Sequence, residues 1–159
     1  MKKLMALMMG IVCAIGLTAC GEKAQEAPQE QKFETTLVEA AAQAGAFSEE
    51  LEELDADTAF MLYKLADFGL VREDLTEAAV LRSAGATCEE GAVLIFVDEA
   101  KAGVAAEAMG SYLEGQIEGN EDYRPNEIPK LEGAILKTQG NTLLMVVAND
   151  AAAVRSLFE

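Results

Sequence analysis

The 159-residue chain contains no histidine and no tryptophan. Without histidine there is no Ser-His-Asp or Cys-His nucleophile arrangement, and the usual catalytic zinc ligand sets are missing. Prolines and cysteines number three each, and basic residues are scarce, 12 against 28 acidic ones, for a formal charge of −16. No cluster of Lys or Arg interrupts this field, so nucleic acid and anionic lipid are repelled as primary partners. No phosphate-cradling glycine loop of the nucleotide-binding kinds is present either. What remains is a composition suited to one globular domain plus a targeting segment, 51% hydrophobic and 25% charged.

The N-terminus reads as an address. Lys2 and Lys3 precede an uncharged apolar run from Leu4 to Leu17, which small residues, Thr18 and Ala19, follow at a cleavage point. The run is shorter than the about 20 apolar residues of a membrane-spanning helix, the weaker alternative. Leu17-Thr18-Ala19-Cys20 resembles the bacterial lipobox. The resemblance implies cleavage before Cys20, which becomes the mature N-terminus and carries diacylglycerol on its sulfur. The alternative is a secreted protein cut by the general signal peptidase, with Cys20 there by chance. Two acyl chains, at about 0.8 kcal/mol per buried methylene, anchor a protein stably. That covalent lipid is the only non-protein group expected; no cofactor or metal site is.

Residues 1–19 are thus expected to be a signal peptide and 20–33 a lipidated N-terminus with its tether. "GEKAQEAPQEQK" has alanine as its only apolar type and cannot offset its ordering entropy. As a coil of about 12 residues it spans roughly 20 Å; an Ala/Glu/Gln-rich surface helix is the alternative. Loss of Lys2 and Lys3 moves the formal charge from −16 to −18. Loss of Cys13, with Cys20 committed to lipid, leaves Cys88 alone and excludes an internal disulfide. Glu89 and Glu90 beside it disfavour the thiolate, so it reads as inert.

Residues 34–159 read as a single α+β domain with an internal repeat. "EAAVLRSAG" (77–85) matches "EGAILKTQG" (132–140), and "VLIFVDEAKAGV" (93–104) matches "LLMVVANDAAAV" (143–154). Two strand–strand–helix units are expected, forming a four-stranded, mainly antiparallel sheet, with "ATCEE" as five extra residues in the first hairpin. Val93–Val97 and Leu143–Val147 have the unbroken apolar character of buried strands. Gly140-Asn141 is a tight-turn pair, and Asp98 and Asn149 are placed to cap the two helices.

The first helix is expected over Glu99–Ile117, with Ala102, Ala105, Met109, Leu113 and Ile117 on one side; the last over Asp150–Phe158. "TTLVEAAAQAGAF", ending near Gly45, and "DADTAFMLYKL" supply one or two preceding helices. Strands apolar on both faces need cover on both. The expectation is that the repeat helices take one side and the N-terminal helices the other, or an edge.

The body, roughly 34–158, resembles a family of lipoproteins, mostly from Firmicutes, known as domain of unknown function 4358. The stretches carrying the resemblance are "LDADTAFMLYKL", "SAGATCEEGAVLIF", "YRPNEIPKLEGAIL" and "GNTLLMVV". The resemblance implies an acidic position near 89–90 and no assigned activity, so no functional residue transfers.

Three candidate sites remain. The acidic stretch "EELEELDADT" suggests calcium, but an EF-hand beginning at Asp55 fails at Ala59, Phe60 and Ala66. That leaves a looser cation site, or a solvated loop and helix cap. Paired carboxylates serve glycosidases, yet among so many acidic residues nothing singles one pair out. The repeat also makes Arg82 equivalent to Lys137, sharing strand faces with Val80 and Ile135. Together the two cations are a candidate ligand face for an anion or an acidic segment, with Tyr123 and Arg124 at its border; ordinary charged strand ends and an aromatic packed onto the domain are the plainer readings.

The favoured function is a membrane-anchored extracytoplasmic lipoprotein acting as a non-catalytic ligand- or protein-binding module of the cell envelope, its partner an envelope protein or small ligand. A small carboxylate-based extracytoplasmic hydrolase is the alternative, and a structural spacer the third. Radiolabelled palmitate fed to expressing cells should label the wild-type chain and not Cys20→Ala; an unlabelled wild type would remove the anchor from this account.

Overall fold

The computed structural model describes residues 32–159. The expected signal peptide, Cys20 and the tether through residue 31 lie outside the described residues. Five strands form one sheet: β1 (Glu52–Leu54), β2 (Leu75–Arg82), β3 (Glu90–Phe96), β4 (Ile135–Gln139) and β5 (Thr142–Val147). Their order is β1-β2-β3-β5-β4, every neighbouring pair antiparallel. The helices are α1 (Thr36–Gln43), α2 (Ala56–Leu62), α3 (Glu99–Asn120), α4 (Ile128–Glu132) and α5 (Ala151–Arg155). None of them is long and apolar enough to cross a membrane.

The α+β class and the four expected strands are present, and the β2–β3 connection takes 83–89 where β4–β5 needs only 140–141. Gly140 adopts the left-handed conformation, φ 54°, that this tight turn requires. Asn141 then clamps the turn to β3, its Nδ2 donating to the Phe96 carbonyl at 2.6 Å. The fifth strand, β1, has no apolar alternation to announce it. It is a three-residue acidic edge that pairs Glu52 with Arg82 and Leu54 with Val80, and its charges suit an unpaired edge.

Central strands β3 and β5 are covered on both faces, as their unbroken apolar runs demand. On one face Val80, Leu94, Phe96, Leu143 and Met145 pack with α2, α3 and α4. On the other, Val93, Ile135, Leu144 and Val146 pack with α1 and α5. The arrangement corrects the expected helix placement, because the two repeat helices lie on opposite faces. Strands β3 and β4 are both antiparallel to β5 and hence parallel to each other. Parallel strands need a long crossover, and α3 with α4 supplies it over one face alone. The other face of β5 is left for α5, whose Val154 fills it. The same parity separates the aligned strand positions, since Leu94 faces α3 whereas Leu144, its sequence match, faces away from it.

Two further details differ from expectation. Asp98 does cap α3, accepting from Lys101 N at 2.9 Å, but the cap of α5 is Asp150, which accepts from Ala152 and Ala153 N–H groups. Asn149 is exposed, one residue too early. Phe33, expected as the last residue of the tether, is buried against Phe158 in an edge-on pair, and its N–H donates to Thr142 Oγ1 at 3.0 Å.

A cleft built around two buried glutamates

At the start of β3, Glu89 and Glu90 are 0% and 3% exposed. Successive residues entering a strand point to opposite faces, so each carboxylate needs its own set of donors. Glu90 Oε1 accepts from the Tyr63 hydroxyl at 2.5 Å, and Oε2 from the Tyr112 hydroxyl at 2.7 Å and Arg82 Nε at 3.1 Å. Tyr63 ends α2, Tyr112 sits in mid α3 with its ring edge-on to that of Tyr63 at 5.1 Å, and Arg82 is the cross-strand partner on β2. Four elements therefore meet on one carboxyl group.

Burial pushes the Glu90 carboxyl above the ordinary range, against the pull of Tyr63, Tyr112 and Arg82 in the other direction. Both phenols are pushed up, first by burial and then by the Glu90 charge.

Glu89 has a donor set of its own, from the segment after α1 and from α4. The Ser48 N–H and hydroxyl donate to it at 2.7 and 2.6 Å, and Lys130 Nζ at 2.7 Å. Lys130 also pairs with Glu127 at 3.0 Å, and Glu127 in turn accepts from the Cys88 N–H at 2.9 Å. The Cys88 thiol is pushed up as expected, but the cause differs. Burial dominates and Glu127 adds to it, while Arg124, Arg82 and Lys130 pull the other way.

The 83–89 loop is held as tightly. Ser83 Oγ accepts from the N–H groups of Gly85 and Thr87 and donates to Glu49 at 2.6 Å; the Thr87 hydroxyl donates to the same carboxylate at 2.7 Å. Those two hydroxyls hold Glu49 below its usual range. From the far side, Arg124 Nη1 donates to the carbonyls of Gly85 and Thr87, both at 2.9 Å, and its Nε to Asn120 Oδ1 at 2.7 Å. Between the β1 edge, this loop and the C-terminal half of α3 lies a cleft of about 270 Å³, its wall including Arg82, Ser83, Thr87, Gln116 and Arg124.

The two predicted cations are not brought together. Arg82 lines the cleft, whereas Lys137 stands on the far edge strand and the opposite sheet face, paired with Glu159 at 3.3 Å and 4.6 Å from the Phe158 ring centre. Sequence alignment of the repeats equated the positions, but the opposite parity of the two units separates them. The residue that does share the cleft with Arg82 is Arg124. Its neighbour Tyr123 is 80% exposed rather than packed onto the domain. Asp55 is a helix cap, accepting from the Thr58 N–H at 2.8 Å and from its hydroxyl at 3.0 Å.

Sequence reasoning missed the partners of Glu90 and Glu89, namely Tyr63, Tyr112, Ser48 and Lys130. One signal was present: two carboxylates leading straight into the apolar run "GAVLIF", where burial forces donors to be found.

Fold and site together define a small α+β domain, an antiparallel sheet covered on both faces, with a polar cleft at one end of its central strands. The chain belongs to the family described as domain of unknown function (DUF4358), whose model matches residues 48–148. That span runs from just before β1 to the end of β5 and includes all four stretches on which the resemblance rested. No curated protein and no solved structure matches the chain.

The raised phenols dictate an alkaline limit. Native Tyr63 and Tyr112 keep protons that the unfolded chain releases near pH 10, so stability present below that pH is lost as it rises. In chemical denaturation followed across about pH 8–11, Tyr63→Phe/Tyr112→Phe should start less stable at the low end of that range yet decline less steeply. An unchanged alkaline slope would show that the native fold does not hold these phenols protonated.

Proposed function

We propose that the protein is a lipid-anchored, extracytoplasmic binding module of the cell envelope, without catalytic activity, and that the cleft beside Arg82 and Arg124 is its ligand seat. The lipobox-like "LTAC" supports the anchor, and the strongly acidic composition supports a partner other than nucleic acid. The observation that carries the non-catalytic reading is the state of the buried carboxylates. Glu90 accepts three hydrogen bonds and Glu89 accepts three, all from the protein itself. An acid or base must be within hydrogen-bond reach of a substrate proton; here the oxygens are occupied in bracing the walls. The cleft is consequently rigid and preformed, which lowers the entropic cost of binding.

A carboxylate-based hydrolase is the second reading, favoured by one observation, the upward push that burial gives Glu90. It is the weaker one, because the group with the raised pKa is also the group with no unengaged oxygen.

A photo-crosslinking residue placed at Ala84, exposed on the cleft rim, should capture a species of defined mass in intact cells. The same residue at Thr138, exposed on the far edge strand, should not. No adduct at Ala84, or equal capture at both positions, would remove the cleft as a ligand seat.

A further inference from the structure

Once the internal hydrogen bonds are assigned, the cleft wall keeps spare donors on its two arginines, while its spare acceptors are the Glu52 carboxylate on the rim and the Gln116 amide. Ser83 Oγ and the Thr87 hydroxyl each accept from N–H groups of the loop and donate to Glu49. The carbonyls of Gly85 and Thr87 are taken by Arg124, and Glu90 is taken by three donors. Arg82, by contrast, donates Nε to Glu90 and lies within hydrogen-bond reach of the Tyr112 hydroxyl, yet its side chain remains 35% exposed and its fork is not filled. Arg124 spends Nε and Nη1 on an amide and two carbonyls, leaving Nη2, and it pairs with no carboxylate among the described residues. The Arg82 charge is offset by Glu90 within the cleft wall; that of Arg124 is not offset by any contacting carboxylate.

We propose that the cleft takes an oxyanion, a carboxylate or phosphate group, between the unspent guanidinium donors of Arg82 and Arg124. The planar guanidinium fork matches such oxygens in charge and geometry. Both guanidiniums are fixed before the ligand arrives, Arg82 by Glu90 and Arg124 by Asn120 and the loop carbonyls. Opposing them is Glu52, the cross-strand neighbour of Arg82 on β1, whose exposed carboxylate stands on the cleft rim. Its charge repels the ligand and sets a ceiling on affinity. This assignment rests on the cleft being the ligand seat and adds the chemistry of what it holds.

The test titrates the full chain, in detergent, with inorganic phosphate, with succinate and with neutral succinamide, following amide signals of Gly85 and Thr87 in 15N spectra. Phosphate or succinate should give saturable shifts and succinamide none. Phosphate alone responding assigns a phosphate group, succinate alone a carboxylate. Arg124→Gln should weaken binding by about tenfold or more, the effect of losing one charged hydrogen bond. Glu52→Gln should tighten it several-fold, and Arg155→Gln on α5 should leave it unchanged. Arg82→Gln strands the buried Glu90 and is not needed: Glu52→Gln, a surface change, reads the same site even where an arginine variant misfolds. Absence of saturable shifts with both oxyanions, or affinities indifferent to both Arg124→Gln and Glu52→Gln, overturns the proposal. If that failure coincides with capture at Ala84, only the oxyanion assignment falls; if Ala84 also captures nothing, the ligand seat falls with it.

Discussion

Taking two adjacent carboxylates out of water at the mouth of a central strand costs several kcal/mol for each, and the surrounding structure is organised to offset that cost. Glu90 draws Tyr63 from the end of α2, Tyr112 from α3 and Arg82 from β2 to one point. Glu89 draws Ser48 from the segment after α1 and Lys130 from α4. Elements far apart in sequence are thereby held in register at one end of the sheet. Gly91, directly after the pair, completes the constraint: a Cβ there would lie 3.1 Å from the Phe47 ring and 3.2 Å from Val38. A side chain there would push the Phe47 ring and Val38 back by a few tenths of an ångström, so glycine lets the α1 side approach closely beside the carboxylates.

Much of the fold was readable because burial writes itself into composition. Val93–Phe96 and Leu143–Val147 are apolar on both faces, and Asp98 and Gly140 mark a helix start and a turn by local chemistry alone. What stayed hidden depends on long-range pairing. β1 is a strand only because β2 offers it hydrogen bonds, and its "EEL" carries no periodic signal. The opposite placement of α3 and α5 follows from the β3–α3–β4 crossover, and strand order cannot be read from two similar hairpins. The candidate site shows the same division. Arg82 and Arg124 were visible as isolated cations in an acidic chain, but their meeting across a loop was not, and the repeat pointed to Lys137 instead.

The cleft inherits its properties from the buried pair. Its walls are held by buried contacts whose disruption strands a desolvated charge, unlike an exposed ion pair such as Lys137–Glu159, whose worth is about 0–1 kcal/mol. The family match covers the sheet and every cleft-forming segment from Ser48 onward, so the site belongs to the part of the chain that defines the family. Within it the buried carboxylates Glu89 and Glu90 are engaged by protein donors, whereas Nη2 of Arg124 is not.

The most direct test of this account is a double-mutant cycle between Arg82 and Glu90, using Arg82→Gln, Glu90→Gln and the double variant in equilibrium denaturation. The account predicts that each single change destabilises strongly and that the two are coupled by more than about 1 kcal/mol. Additive effects, with coupling no larger than that of a surface pair, would contradict the claim that the buried carboxylate holds the cleft together.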